Sequence, residues 1–489
     1  MGAVAGLGGE FAVQLGKKEV VAAALPIQEH WLSLSNLDLL LPPVDVGVFF
    51  CYTNPTTTTA SQRLGYGSMV GILKAALAQA LVSYYALAGE VVQNSAGEPE
   101  LLCNNRGVDF IEAFTDVELR HLNLYNPDET IEGKLVPTKK RGVLAVQATE
   151  LKCGGIVVAC TFDHRIADAH SANMFMVFWA ETARSDAPIS LPPSFRRSLL
   201  NPRHPLCVDR SLDSMYIPVS ALPPPPPQKQ KADEECETPT SRDDDCLVSR
   251  MYYVTAAKLS ELQQRACSNG SKRSKLESFS AFLWKMVAES SSVATNDDNK
   301  TMSRMGIVVD GRCRLMSQGV DDKPAPMASY FGNVLSIPFG EKRAMEVVEK
   351  PLSWVAEAVH EFVESAATKE HFLDLIDWVE EHRPVPAVAR IYCKPRSEQE
   401  EEEGSTAFVV SSGQRFPVTE MDFGWGKPVL GSYHFPWGGE AGYVMPMPSP
   451  LSNGDWVVYL HLSRSQVAFI ESKAPTVFRP LTPHYLRLL

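Results

Sequence analysis

The order of apolar and polar positions divides the chain into alternating strand-like and helix-like segments. Val46 to Tyr52 is a continuous apolar run of strand length, the pattern of a buried strand. From Ser68 to Tyr85 the apolar positions Val70, Leu73, Leu77, Leu81 and Tyr84 recur at helical spacing, and Gly89 marks a stop. Gly142 to Glu150 and Gly155 to Asp163 read as two further strands. Ala169 to Arg184, rich in Ala, Met, Phe and Trp, reads as a helix. A second series begins with a strand at Leu247–Val254. It continues with helices over Ala256–Ser268 and Leu276–Ser290 and a strand from Met305 to Val309.

Between the two series, residues 201–246 hold five consecutive prolines, Pro223 to Pro227, and an acidic cluster ending at Asp243-Asp244-Asp245. Such a stretch has too little apolar surface to order itself, so an exposed, flexible crossover is expected there. Glu398 to Gly404 is nearly all glutamate and reads as a solvated loop. At 489 residues the chain exceeds what one core supports, roughly 250–300 residues. The expectation is an α/β domain over residues 1–200, the crossover, and a second α/β domain over residues 247–489.

Composition narrows the function without naming it. A net charge of -12 argues against a non-specific nucleic-acid binder or a basic membrane-surface protein. It leaves room for an anionic cofactor on a local basic patch. Ten cysteines lie scattered without Cys-x-x-Cys pairs, the pattern of reduced cytosolic thiols. The start of the chain lacks the basic and apolar regions of a signal peptide, and no apolar run approaches the roughly 18 residues of a membrane span. A soluble cytoplasmic enzyme is the expectation.

Two short motifs stand out. His164-Arg165-Ile166-Ala167-Asp168 begins just past the end of a strand. Spacing alone leaves two readings open. His164 is either a general base, since imidazole titrates near neutrality, or a structural histidine with Asp168 capping the next helix. No carboxylate or histidine cluster completes a metal site around it. Asp422-Phe423-Gly424-Trp425-Gly426 is poor in chemistry, and glycines flanking aromatics mark a tight structural turn. There is no Gly-x-Ser-x-Gly elbow, no phosphate loop and no dinucleotide fingerprint. Lys272, Arg273 and Lys275 form a basic cluster that either meets phosphates or lies in solvent.

Taken together, the motifs resemble the BAHD acyltransferases, plant enzymes that move an acyl group from coenzyme A to an alcohol or amine. The resemblance runs along nearly the whole chain and in the family's order. Leu34-Ser35-Asn36-Leu37-Asp38, Tyr85-Ala86-Leu87-Ala88-Gly89 and Cys153-Gly154-Gly155 precede the His164 motif. Ser278-Phe279 with Leu283-Trp284, Asp310-Gly311-Arg312-Cys313-Arg314, Tyr330-Phe331-Gly332-Asn333-Val334 and Asp422 to Pro428 follow it.

The resemblance implies two chloramphenicol acetyltransferase-like domains, each a mixed sheet with helices, joined by a long crossover around a solvent channel. His164 would face the channel as general base for direct attack on the thioester. Asp168 would turn away to pair with Arg312, and Asp422, Gly424, Trp425 and Gly426 would hold the architecture. It implies acyl-coenzyme A as co-substrate, no tightly bound cofactor, no metal and a monomer. Within the family the chain is similar to the hydroxycinnamoyltransferase and coniferyl alcohol acyltransferase types.

Four positions depart from the shikimate-using members. Those enzymes carry a threonine where Ser411 stands, a tryptophan where Gly413 stands, and a serine and a tyrosine where Val48 and Phe50 stand. Ser411 keeps a hydroxyl for a developing oxyanion. The other changes remove polar groups from the acceptor side, so a hydrophobic alcohol is expected rather than a polyol. An amine acceptor is the runner-up, since one base serves both nucleophiles, and a non-catalytic thioester-binding relative is a third reading.

Overall fold

The computed structural model describes residues 11–54, 64–184, 190–222, 246–267, 270–294, 301–316, 327–393, 405–439 and 441–489. Pro223 to Pro227, the acidic cluster and Glu398 to Gly404 lie outside the described residues.

Two large sheets organise the molecule. The first has six strands in the order Gln14–Val21, Val108–Phe114, Leu144–Glu150, Ile156–Asp163, Asp45–Tyr52 and Leu430–His434. It is antiparallel except for one parallel pair, Val108–Phe114 with Leu144–Glu150. All eight residues of Ile156–Asp163 are buried, which is why its sequence is an apolar run instead of an alternation. The second sheet has seven strands: Phe339–Arg343, Met302–Ile307, Thr406–Val410, Gly442–Pro448, Trp456–Ser463, Leu247–Val254 and Arg479–Pro480. Thr406–Val410 runs parallel to both its neighbours, so this sheet is mixed as well. The α/β class is as expected.

One strand was not foreseen where it lies. Leu430–His434 comes from the C-terminal half yet closes the first sheet, pairing antiparallel with Asp45–Tyr52 from Leu430↔Cys51 to His434↔Gly47. The two halves therefore share a core. Tyr443, Met445 and Met447 of the second sheet join the first core, while Val444 between them faces the second. Strict alternation thus places one face of the second sheet against the first domain.

The helices pack where their apolar stripes direct them. Tyr66–Ser83 and Ala169–Arg184 lie together on the first sheet, and the Trp179 indole donates to the Leu73 carbonyl at 3.0 Å. Tyr66–Ser83 has the length and apolarity of a membrane-crossing helix, against the expectation that no run reaches it. It is nevertheless a core element: Leu73, Leu77, Ala80 and Leu81 are fully buried, and Lys74 pairs with Glu19 and Glu112. Gly89 follows a short turn, and a side chain there would strike the Leu102 carbonyl at 2.6 Å.

The expected crossover needs correction in its first half. Residues 201–222 are folded onto the C-terminal half. Tyr216–Pro218 pairs with Ala387–Ala389, Leu212 and Tyr216 are buried, and Arg203 is held by Asp377 at 2.7 Å. A few well-placed apolar side chains and the pairing of part-exposed Arg203 with buried Asp377 anchor a segment whose average composition reads as disordered. The nine described cysteines are all free thiols.

Candidate active site

His164 sits one residue beyond the strand Ile156–Asp163, in a turn that the rest of the molecule holds by its backbone. Its N–H donates to the Val44 carbonyl at 3.0 Å, and its carbonyl accepts from the Asn333 side chain at 2.9 Å. Asn333 also donates to the Arg165 carbonyl, and is itself fixed by Asp38, which accepts from the Asn333 N–H at 2.6 Å and from its side chain at 3.0 Å. Asp38 in turn accepts from the Ser35 N–H and hydroxyl at 2.8 and 2.7 Å. Asn333 and Asp38 were visible in the sequence as parts of two motifs, but nothing in them announced that one positions the other. They became functional candidates only once 295 residues of chain separation had closed.

With its backbone anchored, the His164 ring is left half-buried, edge-on to Phe435 with centroids 6.1 Å apart. Its Nδ1 has no hydrogen-bond partner among the described residues. Burial holds the imidazole below its ordinary pKa, opposed by its own carbonyl, by Asp168 and Asp163 and by the Asn333 amide. The ring is thereby biased toward the neutral form that can take a proton.

Asp168 points the other way. Its carboxylate receives Arg312 in a two-pronged contact at 2.8 and 3.1 Å, the Ser171 N–H at 2.9 Å and the Val334 N–H at 3.2 Å. Burial pushes this carboxyl up, but Arg312 and the Ser171 N–H outweigh it and hold the group below the usual carboxylate range. Arg312 is itself buried, and spends its other donors on the Tyr330 and Gly332 carbonyls and the Ser171 hydroxyl. Asp168 also serves as N-cap of the helix Ala169–Arg184, accepting from its third residue. The capping half of the second reading is therefore present at Asp168, while His164 keeps a ring with no side-chain hydrogen bond at Nδ1 among the described residues.

The Asp422 turn lies far from His164. Tyr52, whose hydroxyl donates to the Met421 carbonyl at 2.8 Å, pairs with Ile156, while Asp45 pairs with Asp163. Seven strand steps therefore separate the two motifs, roughly 23 Å at about 3.3 Å per residue. Asp422 accepts from the N–H groups of Gly424 and Gly426, both at positive φ, and Phe423 packs edge-on to Trp179 at 4.9 Å. The turn rivets the two halves together.

Two aromatic chains lead from the suspected pocket positions toward His164. Phe50 stacks on Phe416 at 5.3 Å, Phe416 meets Tyr433, and the Tyr433 hydroxyl reaches Asn173 on the helix that follows the motif. Val48 lies opposite Tyr433 in the sheet register. The Ser411 N–H donates to the carbonyl of Val444, next to Tyr443, at 2.9 Å, Tyr443 meets Phe435 at 5.0 Å, and Phe435 meets His164. Gly413 is a tight fit: a Cβ would lie 2.7 Å from both the Pro446 carbonyl and Met447, so no tryptophan occupies that site on this backbone.

The basic trio is split. Arg273 is buried and ion-paired with Glu357, whereas Lys272 is exposed and Lys275 half-exposed. Only the two lysines offer free charge to a phosphate. Among the described residues no group of His, Cys, Asp or Glu is placed to hold a metal.

Comparison with known proteins agrees with this geometry. The model of the Transferase family matches residues 11–476. The chain is 26% identical to the omega-hydroxypalmitate O-feruloyl transferase of Arabidopsis thaliana over 81% of this chain and 79% of that one. It is 25% identical to the shikimate O-hydroxycinnamoyltransferase of Nicotiana tabacum over 92% of this chain and 96% of that one. Its fold matches F. graminearum TRI101 complexed with coenzyme A and deoxynivalenol, with a TM-score of 0.68 at 15% identity, covering 91% of this chain and 98% of that one. The chain belongs to the Transferase family, the BAHD group of acyl-coenzyme A-dependent acyltransferases.

Proposed function

We propose that the protein transfers an acyl group from acyl-coenzyme A to the hydroxyl of a hydrophobic alcohol. The acceptor hydroxyl gives its proton to His164 as its oxygen attacks the thioester carbonyl. The tetrahedral intermediate collapses, the ester forms, and the coenzyme A thiolate leaves and is protonated by the imidazolium. Ser411, held by its N–H to the Val444 carbonyl next to Tyr443, is the candidate donor to the oxyanion. Lys272 and Lys275 are the candidates for the coenzyme's phosphates.

The observation that carries this reading is the divided motif: a neutral-biased ring anchored by its backbone, with Asp168 committed to Arg312. Val48 and Phe50 are both buried in the first core, Phe50 against Phe416, so the hydrophobic acceptor is drawn from the polar groups that these positions lack. An amine would be drawn by free carboxylates, yet Asp128 and the exposed Glu132, on the segment that meets the second sheet's Leu247–Val254 strand and the Leu430–His434 strand, are already engaged by Ser249 and His434.

With one acyl donor, kcat/KM for coniferyl alcohol is expected to exceed that for shikimate at least about tenfold, on the scale of one lost or gained polar contact. A preference for shikimate would sink the acceptor assignment. The pH profile gives a separate check. Because the neutral ring is the active form and its pKa is lowered, the acid limb of kcat/KM should fall below about pH 6.5, the ordinary imidazole value. Rates should be flat across neutrality, and a limb at or above that value would contradict the assignment.

A further inference from the structure

Asp38 is fully buried, and its two carboxylate oxygens have separate tasks. Oδ2 closes a local turn. It accepts from the Ser35 N–H at 2.8 Å and hydroxyl at 2.7 Å, and the Ser35 hydroxyl accepts in return from the Asp38 N–H at 3.2 Å. Such a reciprocal pairing, of the capping-box kind, is complete without the second oxygen. Oδ1 is directed instead to a residue 295 positions away, accepting from the Asn333 N–H at 2.6 Å and from its side-chain amide at 3.0 Å. Arg197 clamps the two segments that carry this pair. It donates to the Ser33 carbonyl at 3.1 Å and the Phe331 carbonyl at 2.6 Å, and lies 3.9 Å from Oδ2. Gly332 permits the close approach, since a Cβ there would lie 2.8 Å from Arg197 and 3.2 Å from Asp38.

The far side of the Asn333 amide bears on His164. Its nitrogen, already bonded to Asp38, donates to the His164 and Arg165 carbonyls at 2.9 and 3.1 Å. Three acceptors around one NH2 group settle which end of the amide faces them. His164 is then tied at both ends of its backbone, because its own N–H donates to Val44 at 3.0 Å. Those ties constrain φ and ψ at residue 164, and with them the direction of the Cα–Cβ bond and the rotamers open to the ring. Among the described residues, no hydrogen bond to Nδ1 performs that service. A catalytic base is ordinarily oriented by a third group bonded to it. Here the orienting contact grips the backbone of the base.

We propose that Asp38 is a positioning residue for acyl transfer, acting through Asn333 on the backbone of His164 and so on the aim of its ring. The inference rests on His164 being the base and adds what keeps that base aligned. A scaffolding role would need Asp38 for the turn at Ser35 and for Arg197. It would not need Oδ1 to engage an amide that grips the turn at His164.

Kinetics on double variants separate aim from scaffolding. The substrates are the best-used pair from coniferyl alcohol, 1-decanol, shikimate and tyramine with acetyl- or p-coumaroyl-coenzyme A. A thermal melt of each variant gives the folded fraction, and kcat is expressed per folded molecule. Asn333→Ala should lower kcat by about 10²-fold, the scale of a misplaced reacting group, with both KM values within about twofold. Asp38→Asn, which must turn an NH2 toward the donors of Ser35 or of Asn333, should lower kcat at least about tenfold and add nothing to Asn333→Ala. In a His164→Ala background, Asn333→Ala should cost less than about twofold more, because no ring remains to be aimed. Unchanged kcat in Asn333→Ala or in folded Asp38→Asn, a loss confined to KM, or a loss that recurs in full without His164 overturns the role of Asp38 alone. If Asp38→Asn does not fold, the Asn333 variants decide by the same criteria. His164→Ala within about tenfold of the unmodified enzyme, or turnover of no substrate pair, overturns the base and this inference together.

Discussion

Replacing His164 with alanine is expected to lower kcat by about 10²–10⁴-fold, the usual worth of a positioned general base. It should do so without unfolding the protein, because residue 164 is held by contacts that do not involve its ring. The N–H bond to Val44 and the bonds from Asn333 are made to the backbone and survive the substitution. The residue is only part-buried and its ring leans on Phe435, so its removal should cost less packing than truncation of a fully buried core side chain. Steady-state turnover and a thermal melt, measured on the same preparation, separate the two quantities. Activity within tenfold of the unmodified enzyme would remove His164 from the chemistry, and a collapsed melt would show that the ring is structural.

Asp168→Ala should behave in the opposite manner. Removing one member of a buried ion pair costs about 3–5 kcal/mol, mostly because the surviving charge is stranded. Arg312 would keep its bonds to the Tyr330 and Gly332 carbonyls and its longer contact with the part-exposed Asp310, and lose the buried, two-pronged carboxylate that chiefly neutralises it. The helix Ala169–Arg184 would also lose its cap, worth about 1 kcal/mol. Asp168→Asn, which keeps a capping oxygen but not the charge, should fall between the two. Urea unfolding of the three proteins provides the comparison. An alanine variant with an unchanged midpoint and no activity would place Asp168 in the reaction itself.

The two predictions differ because the motif is split in space, and that split shows what was legible in the sequence. The strand before His164 and the helix after Asp168 could be read from local pattern: an eight-residue apolar strand and a capped amphipathic helix announce themselves within a short window. The partners could not. Arg312 entered through family resemblance alone, and Asn333 and Asp38 carried no chemical signature of their own. Each acts through a residue far away in the chain, and period and propensity hold no information about such pairings. Arg273 illustrates the converse error. A basic triplet reads as one patch, yet Arg273 is turned inward to Glu357 while its neighbours face out. Residues 201–222 fold against expectation for a related reason, since average composition hides the few side chains, Leu212, Tyr216 and Arg203, that anchor the segment.

The strand Leu430–His434 also sets a clock for synthesis. Until it emerges from the ribosome, Asp45–Tyr52 is the open edge of the first sheet, with the sequence Asp-Val-Gly-Val-Phe-Phe-Cys-Tyr exposed for pairing. Unprotected apolar edges of this kind recruit strands from other chains. At about 5–20 residues per second, the interval between completing Asp163 and completing His434 lasts tens of seconds. The first domain must spend that time unfinished, so chaperone protection during translation, rather than the stability of the finished fold, should govern how much protein a cell recovers. Severing the chain at the crossover should leave an N-terminal fragment that aggregates through this edge.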